Sequence, residues 1–219
     1  ALRIAAAAGD LPGAYEAAED LCSTFDVDRG IAQKQILDTF KLARTQAAMK
    51  DKFIGEALRY MDRAAKSGEF SLALTMAGAL EKFLGTSAAD TKREVRARVT
   101  EYGLAQKLQT RAQEASAQAE VSGADANAKA AASTADGLYR CLALGDWKQG
   151  LKRLADGDNA GLKSAATSEL GELKTGEQMQ AVAEQWWALS EAEKSPETKW
   201  ALAERAASRG ERLYCWVCV

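Results

Sequence analysis

Residues 145–150 of the chain read GDWKQG. The same order of residues occurs in GDLPGA at 9–14 and in GEFSLA at 68–73: a glycine, an acid, a large apolar residue and, two variable residues later, a small one. Glycine can take the left-handed conformation that ends a helix, and an acidic side chain can cap the helix that follows. The three copies therefore predict tight helix–turn–helix corners. Their turn residues are Gly9, Gly68 and Gly145.

The composition predicts helices on both sides of these corners. The chain of 219 residues contains 46 alanines and only 2 prolines, and alanine is the best helix former and proline the worst. No alternating apolar and polar pattern, typical of strands, is visible. We therefore expect an all-α fold of about eleven helices. They span residues 2–8, 12–25, 28–48, 51–66, 70–84, 88–121, 125–144, 146–155, 159–171, 176–194 and 197–209.

The longest predicted helix covers residues 88–121. Its apolar or small residues recur in steps of three and four, which places them on one helix face. These residues are Val95, Val99, Tyr102, Ala105, Leu108, Ala112, Ala115 and Ala119. Ser122 and Gly123 then break the pattern, and Asp125 can cap a new helix. We predict helical repeat regions at 1–121 and 125–219 that continue into each other as one solenoid.

The recurring corners resemble those of tetratricopeptide repeats, in which a short turn joins two stacked helices. The turn glycines at 9 and 68 are 59 residues apart, and those at 68 and 145 are 77 residues apart. A regular array has a period of about 34 residues. The resemblance is therefore to a degenerate form of the repeat. It implies an α-solenoid of stacked helix pairs.

Other segments resemble a helical module of large bacterial multidomain proteins. They are Gly9-Asp10 with FDVD at 25–28, CLALGDWKQGL at 141–151, AEQWWAL at 183–189 and AERA at 203–206. In that family the module is uncharacterised and has no known catalytic motif. The resemblance implies a scaffold or spacer that binds a protein partner or assembles with itself, and it transfers no site residues.

Charge and residue types argue against several function classes. Lys and Arg total 29 against 31 Asp and Glu, a balance unlike that of a nucleic-acid binder. No stretch approaches the roughly 20 apolar residues that span a membrane. Histidine, the commonest general base and a common metal ligand, is absent. Since no P-loop, dinucleotide-binding glycine motif or serine nucleophile motif occurs either, we expect no enzyme activity, cofactor or resident metal.

Four tryptophans in the last third of the chain are the candidate binding residues: Trp147, Trp186, Trp187 and Trp200. Tryptophans at helical spacing pack in a core or line a groove for a peptide, a sugar or another small molecule. Trp186 and Trp187 are adjacent, so they point about 100° apart and cannot both face one thin core. One of these two is the best single candidate for contact with a partner.

The four cysteines allow different interpretations. Cys22 and Cys141 lie among apolar neighbours, which is typical of buried free thiols. Cys215 and Cys218 have the Cys-x-x-Cys spacing of a redox disulfide or of half a zinc site. The alternative is an apolar terminal segment on the last helix pair. A zinc site would need ligands that only the distant Cys22 and Cys141 could supply.

The stretch DGDNAG at 156–161 opens like a calcium-binding loop. Its fifth and twelfth positions are Ala160 and Thr167, where such a loop needs an oxygen ligand and a bidentate Glu. We therefore predict a turn in which Asp158 or Asn159 caps the following helix.

Together these patterns predict a tetratricopeptide-like, non-catalytic scaffold for protein–protein interaction or spacing. Two alternatives stay open. One is a small-molecule or glycan-binding protein with a tryptophan-lined groove, and the other is a redox protein that uses Cys215 and Cys218.

Overall fold

The computed structural model describes residues 1–8, 10–25, 27–42, 47–84, 89–121 and 125–217, with side chains described except at 11, 34, 37, 40–42, 47–50, 52 and 211–217. The described residues form eleven α-helices and no strand, which confirms the all-α prediction. The helices are α1 (Leu2–Ala8), α2 (Leu11–Thr24), α3 (Arg29–Leu42), α4 (Ala47–Lys66), α5 (Phe70–Leu84), α6 (Ala89–Val121), α7 (Ala126–Leu138), α8 (Trp147–Ala155), α9 (Ala160–Leu170), α10 (Gly176–Ala192) and α11 (Pro196–Val217). None of these helices, as far as they are described, has the length and apolar character needed to cross a lipid bilayer.

The glycine corners have the left-handed geometry that the sequence predicts. Gly68 follows α4 with a φ angle of 77°, and Gly145 precedes α8 with a φ angle of 67°. Both positions favour glycine because a Cβ atom crowds the backbone at such angles. The prediction is confirmed at these two corners, while Gly9 lies outside the described residues.

Side-chain caps begin the helices after the turns. Asp10 and Asp146 each accept a hydrogen bond, at 3.1 Å, from the backbone N–H three residues ahead. Asn159 caps α9 in the same way at 3.0 Å. Each cap satisfies a backbone donor that the helix itself leaves without an acceptor. The stretch 156–161 is thus a capped turn, as predicted.

Contacts group the chain into two units, Ala1–Gly103 and Leu104–Val219, which divide within α6. In the first unit, α3 packs against α1, α2 and α5, and α4 packs against α5. The largest fully buried side chains of this unit are Tyr15, Ile36, Phe53, Met61, Met76, Leu80, Leu84 and Val95. The composition break predicted at residues 121–125 coincides with the end of α6, and residues 122–124 lie outside the described part of the chain.

One polar cluster fixes α6 against α4 in the first unit. Asp62 accepts a hydrogen bond from Arg98 Nε at 2.9 Å and another from the Tyr102 hydroxyl. Burial raises the pKa of Asp62, but the hydrogen bonds from Arg98 and Tyr102 outweigh it and the net pKa is lowered. The carboxylate form of Asp62 is therefore the form that the fold stabilises.

In the second unit each helix packs against the next one along the chain, from α7 to α11. The core of this unit is one cluster of buried residues on α8–α11 and on the turn before α8. Its members are Cys141, Leu151, Leu154, Leu162, Ala165, Ala166, Val182, Trp186, Leu202 and Ala206. This sequential packing is what short connections between helices favour.

A π-helical turn, Tyr139–Ala143, follows α7 and leads into the corner at Gly145. Cys141 in this turn lies so close to α8 that a Cβ atom on Gly150 would overlap its Sγ atom. A Cβ atom on Gly137 of α7 would likewise approach the backbone nitrogen of Leu154 to 2.9 Å. The small residues therefore allow α7 and α8 to approach closely.

Candidate functional site

The site is built on Trp186 of α10, whose side chain is fully buried. Its indole Nε1–H donates a hydrogen bond to Glu169 Oε2 of α9 at 2.6 Å. A buried indole needs such an acceptor, because an unpaired buried donor costs about 1–3 kcal/mol. Trp186 therefore belongs to the core and fixes α10 against α9.

Glu169 also binds two arginines of α11. Its side chain is fully buried, and Arg205 and Arg209 both donate to Oε1. Burial and repulsion from Arg209 lower the pKa of the Arg205 guanidinium, although the hydrogen bond and the attraction to Glu169 act in the opposite direction, and arginine stays protonated at neutral pH. One carboxylate thus joins α9, α10 and α11 through charge-assisted hydrogen bonds.

Trp147, the large apolar residue of the GDWKQG corner, packs onto the same cluster. Its ring meets Trp186 edge-on, with the two ring centroids 5.8 Å apart. The guanidinium carbon of Arg205 lies 4.0 Å from the centroid of the Trp147 ring, in a cation–π contact. The corner residue is therefore held by the same arginine that neutralises Glu169.

A cavity of about 290 Å³ opens beside Trp147. It is lined by Cys141, Leu142, Trp147, Ala201, Glu204, Arg205 and Ser208. This volume is at the small end of the range for ligand pockets, roughly 300–1,000 Å³.

The other two tryptophans face outward. The exposed fraction is 50% for Trp187 and 77% for Trp200. They border an open apolar groove of about 690 Å³ on the α10–α11 face, which we call the Trp187–Trp200 groove. Its lining residues are Trp187, Lys199, Trp200, Ala203, Glu204 and Ala207. The structure thus places two of the four candidate tryptophans in the core region and two on this surface.

Helical periodicity explains this division. Val182, Trp186 and Ser190 of α10 are buried in steps of four, so the adjacent Trp187 points away from the core. On α11 the buried positions are Thr198, Leu202 and Ala206, and Trp200 lies roughly 200° from Thr198, on the opposite face. The prediction that Trp186 and Trp187 diverge is confirmed.

The cysteines differ in how far the structure describes them. Cys141 is buried and Cys22 is half-buried, and both are free thiols. Burial raises the pKa of the Cys141 thiol to about 12, an effect that Glu169 reinforces and Arg205 opposes. Cys215 lies in α11 with its side chain outside the described part, and Cys218 lies outside the described residues altogether. Their disulfide, redox or zinc role stays a prediction.

Sequence patterns did not indicate the role of Glu169, because a lone acid on an amphipathic helix is usually solvated. One signal could have found it. Arg205 and Arg209 are like charges four residues apart on one helix, an arrangement that is destabilising unless an anion lies between them. That anion is Glu169.

Comparisons of the chain with models of protein families, with curated proteins and with solved structures found no match. Among the described residues, no group of three or more potential Cys, Asp or Glu ligands is arranged to hold a metal ion.

Proposed function

We propose that this chain is a non-catalytic helical scaffold, a tetratricopeptide-like stack of helix pairs, that binds a protein partner through the Trp187–Trp200 groove. The observation that carries the proposal is the exposure of two tryptophans beside one open apolar groove. Large apolar side chains grouped on a surface are typical of interaction sites, and tryptophan is among the residues that contribute most to binding energy.

The shape of the groove supports a helix as the bound element. Ala203 and Ala207 line its length on α11, and their small side chains leave room for an apolar face to approach. Lys199 and Glu204 add one charge of each sign to its lining. An amphipathic helix with apolar residues at steps of three and four would fill such a groove.

The hydrogen bonds and ion pairs of the neighbouring core also support the proposal. Trp186 and the Glu169–arginine cluster hold α10 and α11 together directly behind the groove. A preformed surface loses less conformational entropy on binding than a mobile one. The sequential packing from α7 to α11 is compatible with a stack of helix pairs.

A capture experiment tests the proposal. Immobilised wild-type protein and the immobilised double variant Trp187→Ala/Trp200→Ala are each incubated with an extract of the source cells. The proteins retained in stoichiometric amounts are then identified by mass spectrometry. We expect the double variant to lose at least about nine-tenths of the retained partner, because truncating a hot-spot residue costs 2 kcal/mol or more. Val121→Ala is the matched control, since Val121 is an exposed apolar side chain on α6. Equal retention by all three proteins would contradict the proposal.

The cavity beside Trp147 favours a second candidate function, the binding of a small molecule or glycan. A ligand there would contact the Trp147 ring, so a saturable change in tryptophan fluorescence across a metabolite and glycan panel is the expected result. The change should be lost in Trp147→Phe and kept in Trp200→Phe, which removes a tryptophan outside the cavity lining. No change in tryptophan fluorescence with any ligand of the panel would contradict this second function.

A further inference from the structure

We propose that the Trp187–Trp200 groove is covered by α11 of a second copy of this chain, in a parallel two-fold pairing of the two α11 helices. The inference rests on the proposed function and names the partner for the same surface. It is drawn from the order of apolar, small and charged residues along the exposed face of α11.

The exposed face of α11 has the spacing of a short coiled-coil seam. Trp200, Ala203 and Ala207 follow one another at steps of three and four, and all three line the groove. Such a/d spacing is what two parallel helices need to keep one seam facing the partner. In a two-fold pair, Trp200 meets Trp200 of the second copy, and the alanines on the C-terminal side allow the two backbones to approach.

The charges that flank this seam complement each other across the two-fold axis. Trp200 takes position a of a heptad and Ala203 takes position d. Lys199, directly before Trp200, is therefore at position g, and Glu204, directly after Ala203, is at position e. In a parallel pair, the g position of one helix lies beside the next e position of the other helix. Lys199 of each copy therefore faces Glu204 of the other, and the symmetry forms this ion pair twice.

Within the chain these two side chains are available for such pairing. Lys199 and Glu204 are both exposed and form no ion pair among the described residues. They cannot pair with each other on one helix, because a separation of five residues points them about 140° apart. An antiparallel pairing would place like-charged edges together, Lys199 with Lys199 and Glu204 with Glu204, so the charges favour the parallel arrangement.

A charge-reversal series tests the proposal by sedimentation equilibrium. The whole chain is measured from about 1 to about 300 µM, because small interfaces bind in the micromolar range. We expect a monomer–dimer equilibrium. Lys199→Glu alone and Glu204→Lys alone should each raise the dimer Kd about tenfold, since two ion pairs become two repulsions. The double variant Lys199→Glu/Glu204→Lys restores both ion pairs with reversed sign and should restore the wild-type Kd.

Two further variants, each with a matched Val121 control, separate this interface from other modes of association. Trp200→Ala should abolish the dimer, whereas Val121→Ala should leave it unchanged. In a background with Cys22, Cys215 and Cys218 replaced by Ser, Ala203→Cys should form a covalent dimer on oxidation, because the seam positions face each other in a parallel pair. Val121→Cys in the same background should not. Circular dichroism checks that each variant is folded.

A monomer at every concentration would overturn the inference, as would a dimer that ignores both Trp200→Ala and the charge reversals. Either result would leave the proposed function standing if Trp187→Ala/Trp200→Ala still loses a different captured protein. If that capture is also unchanged, the proposed function fails too.

Discussion

At the scale of single residues, Glu169 of α9 connects α10 and α11 in the second unit. Its fully buried carboxylate accepts a hydrogen bond from Trp186 and binds Arg205 and Arg209. A buried ion pair adds little stability compared with an apolar replacement of the whole group, but removing one partner alone is costly. The stability of this cluster is therefore most sensitive to the loss of its single acid, Glu169.

We predict that Glu169→Gln destabilises the second unit by about 3 kcal/mol, because it leaves two partly buried guanidinium groups without a counter-charge. The amide keeps an oxygen for the Trp186 indole, so the loss measures mainly the charge. Urea unfolding followed by tryptophan fluorescence gives the free energy of unfolding. Glu172→Gln is the control, since Glu172 is exposed and pairs only with Lys174 among the described residues. Its effect should stay within about 0.5 kcal/mol, and an equal effect of both substitutions would contradict the prediction.

At the scale of helices and corners, the sequence was most informative where local chemistry decides the conformation. Gly145 adopts the left-handed geometry, and Asp146 caps α8, because these properties depend on neighbours within a few residues. The stripe on α6 was also predicted, and Val95 and Tyr102 are among its buried members. Local propensity and helical periodicity are sufficient for such features.

Element ends were less predictable where no residue type marks them. A break was predicted near residue 50, but α4 runs without interruption from Ala47 to Lys66. The last helix was predicted to stop at residue 209, but α11 continues through Gly210 to Val217. One glycine inside a helix costs only about 1 kcal/mol, so it does not force an end. The π-helical turn at Tyr139–Ala143 has no marker of this kind either.

Replacing the corner glycine Gly145 and replacing the helical glycine Gly210 should change stability in opposite directions. Gly145→Ala should destabilise the protein by about 1–2 kcal/mol, because alanine is strained at a φ angle of 67°. Gly210→Ala should stabilise it by up to about 1 kcal/mol, since Gly210 is inside α11 and a Cβ atom there meets nothing within 4 Å. Thermal unfolding by circular dichroism compares the two variants with the wild type. A Gly145→Ala variant that unfolds at or above the wild-type temperature would contradict the dependence of the corner on glycine, and a Gly210→Ala variant that unfolds below it would contradict the second prediction.

At the scale of the whole molecule, the division into Ala1–Gly103 and Leu104–Val219 falls inside a continuous helix. The predicted repeat regions, 1–121 and 125–219, meet where α6 ends, and this division of the chain stays a prediction. The exposed site was predictable only as far as Trp186 and Trp187 had to diverge. The buried cluster was not predictable, because Glu169 and its partners come from three separate helices, α9, α10 and α11.

The burial of Cys141 makes this thiol a natural reporter of opening in the second unit. Thiolate is the reactive form, and burial raises the pKa of Cys141 to about 12, so its thiolate fraction near neutral pH is far below that of an exposed cysteine. With Cys22, Cys215 and Cys218 replaced by Ser, alkylation of Cys141 should therefore be slow in the native state and rapid in denaturant. Mass spectrometry at rising urea concentrations would then follow how often α7 and α8 separate. The half-buried Cys22, kept alone in a second variant, should react much earlier, and equal rates would mean that Cys141 is accessible in the native protein.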